Sequence, residues 1–383
     1  MLRVYLDHMA TTPVAKEVLN EMLPYFENRF GNPSRAYDLG FDAMDAIGKA
    51  RERVAGLINA EPEEIIFTSS GAEANNLAVH GLANANKTSG KHIVSSIIEH
   101  HSTLNSLRWL QKQGFVVTFA GVDRQGEVDL NQIEKSTGKA TVLVSVMLAN
   151  YEVGTIQPVK EIVEIAHEKG ALVHVDAVAA AGNIEIDVKA LGVDALSISS
   201  HTMYGPKGAG ALYLRGGLRL VPLIYSGVQE EGLRGGTENV PAIAGFGKAA
   251  EMAEKGLGEI ERVRWLRDIL VESVLEIEDT ELTGHSEKRL PNHASFIVDY
   301  IDGEALTQAL SFEGVYIGNG TACISQVLRA SPVLIAMGYP SRRAQSSAVF
   351  SFGRINTKRE IEYAIDRFYL SVKKLRKISP FAR

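Results

Sequence analysis

The chain predicts an α/β fold in which a large domain on a mostly parallel sheet is followed by a smaller α+β domain. Three observations carry that expectation. From about residue 64 to 215, short apolar runs alternate with amphipathic segments. Those runs hold few polar residues, as strands covered on both faces do. The alternation then ends in a long helical stretch, beyond which strands and helices follow a different order.

The elements read in order as follows. The opening MLRVYLDHMATT lacks helical periodicity and reads as chain packed against the smaller domain. Seven runs read as strands: EIIFTS, HIVSS, FVVTFAG, TVLVSVML, ALVHVDA, ALSIS and GALYL. Between them EANNLAVHGLANANK, TLNSLRWLQKQG and VKEIVEIAHEKG have helical spacing. The Gly-Pro-Lys-Gly run at 205–208 supplies the turn residues for a tight reversal between ALSIS and GALYL. PAIAGFGKAAEMAEKGLGEIERVRWLRDILVESVLEIE reads as one long helical stretch with internal glycines. After it SFIVDY, VYIG and AVFSFG read as strands, with helices near 303–312, 331–337 and 358–377. The division expected is 15–255 for the large domain and 1–14 with 256–383 for the small one.

Composition narrows the function classes. With 383 residues the chain can bury a core in each of two domains. Net charge is −6 and no dense basic cluster appears, which argues against nucleic acid as a partner. No run of roughly 18 uncharged apolar residues appears, so no membrane span is expected. The start lacks the apolar core of a secretion signal, so the expected location is cytoplasmic. The single cysteine, Cys323, excludes an intrachain disulfide and a protein-only cysteine cluster for zinc. A lone cysteine is more often a small buried hydrophobe, but GNGTACIS surrounds this one with glycines and small residues and reads as an exposed loop.

Polar residues stand where strands should end, and in such sheets ligands bind beyond the carboxyl ends. Asp176 closes ALVHVD, although a helix-capping aspartate would look the same. His100 and His101 follow HIVSSIIE, and a single histidine there is usually a satisfied core or surface residue. Asn150 follows TVLVSVMLA. Ser-Ser-Gly-Ala at 69–72 opens a helix, whose N-terminus suits a phosphate, a weak signal alone.

Together these residues resemble the pyridoxal-phosphate enzymes of the aspartate-aminotransferase fold (type I), and within them the NifS/IscS-type cysteine desulfurases. The motifs run almost end to end: YLDHMATTP, FGNPS, EIIFTSSGAEANNLA, the Glu99-His100 pair, NYEVGTIQP, HVDA, SxH…YGPKGAGALY, QEEGLRGGTENV, GTACIS and FSFGRINT. The resemblance implies a homodimer that takes sulfur from L-cysteine and passes it, as a persulfide on Cys323, to an iron–sulfur scaffold protein of the IscU type. It implies that Asp176 keeps the pyridine nitrogen of pyridoxal phosphate protonated, making an electron sink. His100 would stack on the ring and shuttle a proton, and Asn150 would bond the phenolic oxygen. Gly71, Ala72, Ser199 and His201 would hold the phosphate, with Thr237 reaching it from the partner subunit.

Four positions depart from the family pattern. Thr202 stands where a lysine anchors the cofactor covalently, so the cofactor is expected to bind without a covalent link. Ala72 replaces a threonine at the phosphate, Ala179 a glutamine at the phenolic oxygen, and Val349 the arginine that clamps the substrate carboxylate. Two readings follow. One is a cysteine desulfurase working on a non-covalently held cofactor. The other is an impaired homologue that docks on the scaffold and lends Cys323 as sulfur acceptor or as ligand to a shared [2Fe-2S] cluster. A third, another pyridoxal enzyme such as an aminotransferase, has no use for the GTACIS loop.

Overall fold

The computed structural model describes residues 2–320 and 330–380. Its central sheet has seven strands: β2 (Ile65–Thr68), β3 (His92–Ser96), β4 (Val116–Ala120), β5 (Thr141–Met147), β6 (Leu172–Asp176), β7 (Ala195–Ser199) and β8 (Gly210–Leu214). They are the seven runs expected from the sequence. A short strand, β1 (Val4–Leu6), precedes them. The spatial order is β2-β8-β7-β6-β5-β3-β4. Only β8 runs against its neighbours, pairing antiparallel with both β2 and β7. The Gly-Pro-Lys-Gly turn is what sends the chain back.

All seven residues of β5 are buried, as expected for a central strand with helices over both faces. On one face lie the helices Asp38–Leu57 and Val240–Gly256. The first buries Ala43, Ala46, Ile47, Ala50 and Val54, a stripe at three- and four-residue spacing. On the other face, helices Gly71–Asn86 and His101–Lys112 pack Leu77, Leu82, Leu107 and Leu110 against Ile93 and Leu143.

The long helical stretch expected after residue 240 is two helices. Val240–Gly256 ends and Ile260–Leu275 begins across a 3-10 turn at Leu257–Glu259. Gly256 and Gly258 explain the break, since glycine lowers the stability of a continuous helix there. Beyond it, β9 (Thr280–Leu282), β10 (His293–Val298) and β12 (Ser347–Ser351) form an antiparallel sheet. The strand β11 (Val315–Ile317) pairs in parallel with β1. Val4 and Leu6 therefore share a core with Leu266, Phe296, Phe350 and Phe368, the last on the capped helix Lys358–Ile378. No helix among the described residues is long and apolar enough to cross a membrane.

Candidate active site

A cleft opens at the carboxyl ends of the parallel strands, roofed by Gly318, Asn319 and Gly320, which follow β11, and by Val349 of β12. Asp176 is the last residue of β6 and lies at its floor. Its Oδ1 accepts from the Val178 N–H at 3.0 Å and its Oδ2 from Asn75 Nδ2 at 2.6 Å. The same Asn75 amide donates to Ser102 Oγ at 2.9 Å. Ser102 in turn lies 2.7 Å from His100 Nδ1, which also accepts from the Ser102 N–H at 3.2 Å. His100 Nδ1 is thus an acceptor, which assigns the ring proton to Nε2. Asp176 and His100, read separately from the sequence, belong to one hydrogen-bonded chain, and Asn75 joins them.

The opposite wall is built for an anion. Ser199 ends β7, and its hydroxyl is buried without a partner. His201 Nδ1 is likewise buried and unpartnered. Burial, with Lys207 nearby, holds this imidazole below its ordinary pKa. Gly71 and Ala72 open the helix Gly71–Asn86 at the same wall, where the first N–H groups have no intrahelical acceptor. Ser70 caps that helix by accepting from the Glu73 N–H. The strand β8 presses on the helix start: a Cβ on Gly210 would lie 2.4 Å from the Ser70 carbonyl carbon. Two orphaned polar atoms beside a helix start fit the phosphate of the cofactor that the resemblance implies. The residues present fit that group.

Asn150 does not take the part expected of it. It is fully buried, and it is Ala149 and Tyr151 that line the cleft. The Asn150 amide donates to the Ile98 carbonyl at 3.1 Å, and its oxygen accepts from the N–H groups of Glu152 and Val153 at 2.8 and 3.0 Å. Asn150 shapes the turn after β5 and faces away from the cleft. Tyr151 packs edge-on to His100, ring centroids 5.4 Å apart.

Thr237 lies outside its own chain's cleft, exposed beside a smaller surface pocket with Glu230 and Arg234. Two ion pairs pin its segment to the helices Asp38–Leu57 and Gly71–Asn86: Arg51 to Glu230 at 2.8 Å and Arg234 to Glu73 at 2.9 Å. Thr202 lines the cleft with its hydroxyl donating to the Ser199 carbonyl at 3.1 Å. Ala72, Ala179 and Val349 also line it, and among the described residues no lysine or arginine does. Cys323 lies outside the described residues, and among those described no group of three or more histidine, cysteine or acidic side chains could hold a metal ion.

Three acids given no role from the sequence lie at the cleft, Asp7 and Glu152 in its lining and Glu99 buried behind Met147. Burial pushes Asp7 up to about 6 and Glu152 up to about 8. Glu99 is held well above its ordinary range by burial, with Asp176 adding to the shift, although the Met147 N–H donates to it at 3.0 Å. The signal that could have found Glu152 is its place in NYEVG, two residues past the Asn150 singled out.

Comparison with known proteins points one way. Residues 4–364 match the aminotransferase class-V family. A curated relative, cysteine desulfurase IscS 1 of Archaeoglobus fulgidus, is 47% identical over 99% of both chains. Cysteine desulfurase IscS of Methanosarcina thermophila is 46% identical over 98% of this chain and 94% of its own. Among solved structures, a NifS-like protein superposes with a TM-score of 0.92 at 37% identity, covering 98% of this chain and 100% of that one.

Proposed function

The chain belongs to the aminotransferase class-V family, and from that premise we propose that it is a cysteine desulfurase of iron–sulfur cluster assembly. L-cysteine is the substrate. Its C–S bond breaks, the sulfur forms an S–S bond with Cys323, and one hydrogen passes to the β-carbon, giving L-alanine. The persulfide then serves an iron–sulfur scaffold partner. Carrying this reading is the convergence of full-length similarity on a cleft that keeps both an acid at the strand end and an unpartnered anion wall.

Pyridoxal phosphate supplies the electron sink when bound. Asp176 is the residue to face its ring nitrogen, and Asn75 fixes that carboxylate. His100 would stack on the ring, its Nδ1 held by Ser102 and its Nε2 left to move a proton. Ser199, His201 and the N–H groups of the Gly71-Ala72 turn take the phosphate. Thr237 completes the site from the second subunit of a homodimer, a pairing supported by the exposed Tyr225 and Val228 on the neighbouring loop. With Thr202 at the anchoring position, the cofactor is held by these contacts alone.

The absence of a lysine or arginine among the described cleft residues favours one second reading: a scaffold-docking homologue whose Cys323 accepts sulfur or ligates a shared cluster. The visible spectrum of the purified protein with and without L-cysteine, beside a persulfide assay on Cys323, separates the two. A cysteine-dependent spectral change with persulfide supports the desulfurase. A spectrum unmoved by L-cysteine, with sulfide-fed cluster formation that needs Cys323, supports the docking role.

A further inference from the structure

A free amino acid brings a carboxylate into a cleft lined by Asp7, Asp176 and Glu152, with no cation from the described residues to meet it. A carboxylate among carboxylates requires either a proton or a hydrogen-bond donor beside it. Glu152 is placed to offer one. The residue is 5% exposed, yet it lines the cleft beside Gly320 and Val349. Ser331 Oγ donates to its Oε2 and is itself oriented by the Leu334 N–H at 3.0 Å. A Cβ on Gly320 would come within 3.1 Å of Glu152 Cδ, so glycine there gives the carboxyl its room.

We propose that Glu152, as a neutral carboxylic acid, is the specificity-determining donor that receives the substrate's carboxylate in place of an arginine. The assignment rests on the amino-acid reading above and deepens it. Burial pushes the Glu152 carboxyl up to about 8, so at neutral pH it carries its proton. Asp7, His100, Tyr151, Asp176 and His201 face the same space. Behind the turn, His293 Nε2 lies 3.1 Å from the Tyr151 carbonyl and Arg289 Nη2 donates to the Val153 carbonyl at 3.0 Å. Asp7, at about 6, is ionised at neutral pH and would repel the ligand, so of these two acids Glu152 is the one that can donate. A carboxylate seated against Glu152 raises its pKa further, because two close carboxyls share one proton. Binding should therefore take up a proton at and above pH 8.

The test is calorimetric titration of the cofactor-loaded protein at pH 8.5 with L-alanine and with ethylamine, in buffers of different ionisation heat. L-alanine keeps the amine and carboxylate but has no sulfur to lose, and ethylamine lacks the carboxylate. The parent is expected to take up on the order of half a proton more with L-alanine than with ethylamine. Glu152→Gln keeps a donor and the Ser331 contact, so L-alanine affinity should stay within about threefold while the extra proton disappears. Glu152→Ala should weaken L-alanine about 10- to 150-fold and leave ethylamine unchanged. Proton uptake in Glu152→Gln equal to the parent's would overturn the assignment, as would Glu152→Ala binding L-alanine like the parent. Should Glu152→Ala not fold, the proton count of Glu152→Gln decides alone. If the parent binds neither ligand, the amino-acid reading falls first and takes this assignment with it.

Discussion

Ser199 carries a buried hydroxyl with no partner, an expensive arrangement unless something binds it. Replacing it should therefore separate binding from folding. Ser199→Ala is expected to lower affinity for pyridoxal phosphate about fivefold, near 1 kcal/mol, in a fluorescence titration. The melting temperature of the cofactor-free protein should hold or rise. A lower melting temperature with unchanged affinity would make the hydroxyl structural. Thr202 is the opposite case, since its hydroxyl is already bonded to the Ser199 carbonyl. Borohydride reduction of the loaded parent should leave no pyridoxyl group on residue 202 or on Lys207, whereas Thr202→Lys should gain one at 202 by peptide mass mapping. A parent adduct at Lys207 would mean that another amine has taken over the anchor. At this scale the sequence showed where Asp176 and Ser199 stand, polar residues at the ends of apolar strands. It was misread at Asn150. The period-two alternation of β5 runs on past the strand, so Met147, Ala149 and Tyr151 face the cleft while Asn150 turns inward. Asn75 was hidden for a different reason: it sits in a helix that looked merely amphipathic, and only the fold brings it to Asp176, 101 residues away.

The strands of the large sheet were plain in the sequence because both their faces are apolar. Other elements were not. The strand β9 has three residues, all half-buried, too short to show alternation. The helix break at Leu257–Glu259 was masked by apolar spacing that continues on both sides of two glycines. What the sequence could not show at all is how closely elements approach. The strand β8 lies against the start of helix Gly71–Asn86, with the Gly210 position 2.4 Å from the Ser70 carbonyl carbon and 2.8 Å from the Gly71 nitrogen for any added Cβ. Backbone cannot rotate away as a side chain can. Gly210→Ala should therefore push the helix start off its strand, costing about 1–3 kcal/mol in urea denaturation. Because those first N–H groups form the anion wall, phosphate-dependent stabilisation should shrink as well. A variant as stable as the parent, with the same gain in melting temperature from inorganic phosphate, would show that the wall does not depend on this contact.

Across the whole molecule, buried ionisable groups pull stability in two directions with pH. His174 bridges the sheet from β6, 2.9 Å from Ser145 on β5 and from Ser197 on β7, and burial lowers it to about 3. His293 is lowered to about 3 as well, and His8 to about 4. These imidazoles stay neutral in the folded chain while the unfolded chain takes up protons below about 6.5. Their contribution is intact above that value and is lost as pH falls from it toward 3. The acids act in reverse. Asp7 at about 6, Glu152 at about 8 and Glu99 well above its ordinary range keep their protons in the folded chain after the unfolded chain has released them. Their contribution is intact below about pH 4 and is lost as pH rises through the folded values. Stability should accordingly peak between about pH 5 and 6.5 and fall on both sides. From pH 6.5 to 8 the fall belongs mainly to Glu152 and Glu99, offset in part near pH 6.5, where the unfolded chain still holds about half its imidazole protons. Each group there contributes a slope of about 1.4 kcal/mol per pH unit at most. Urea denaturation at fixed protein concentration, at pH 5, 6.5 and 8, should show that fall in the parent. Glu152→Gln removes one of the two groups and should lose about one proton's share of the slope. An equal slope in parent and variant between pH 6.5 and 8 would mean that Glu152 is ionised in the folded protein, and with that its part as a donor to the substrate would end.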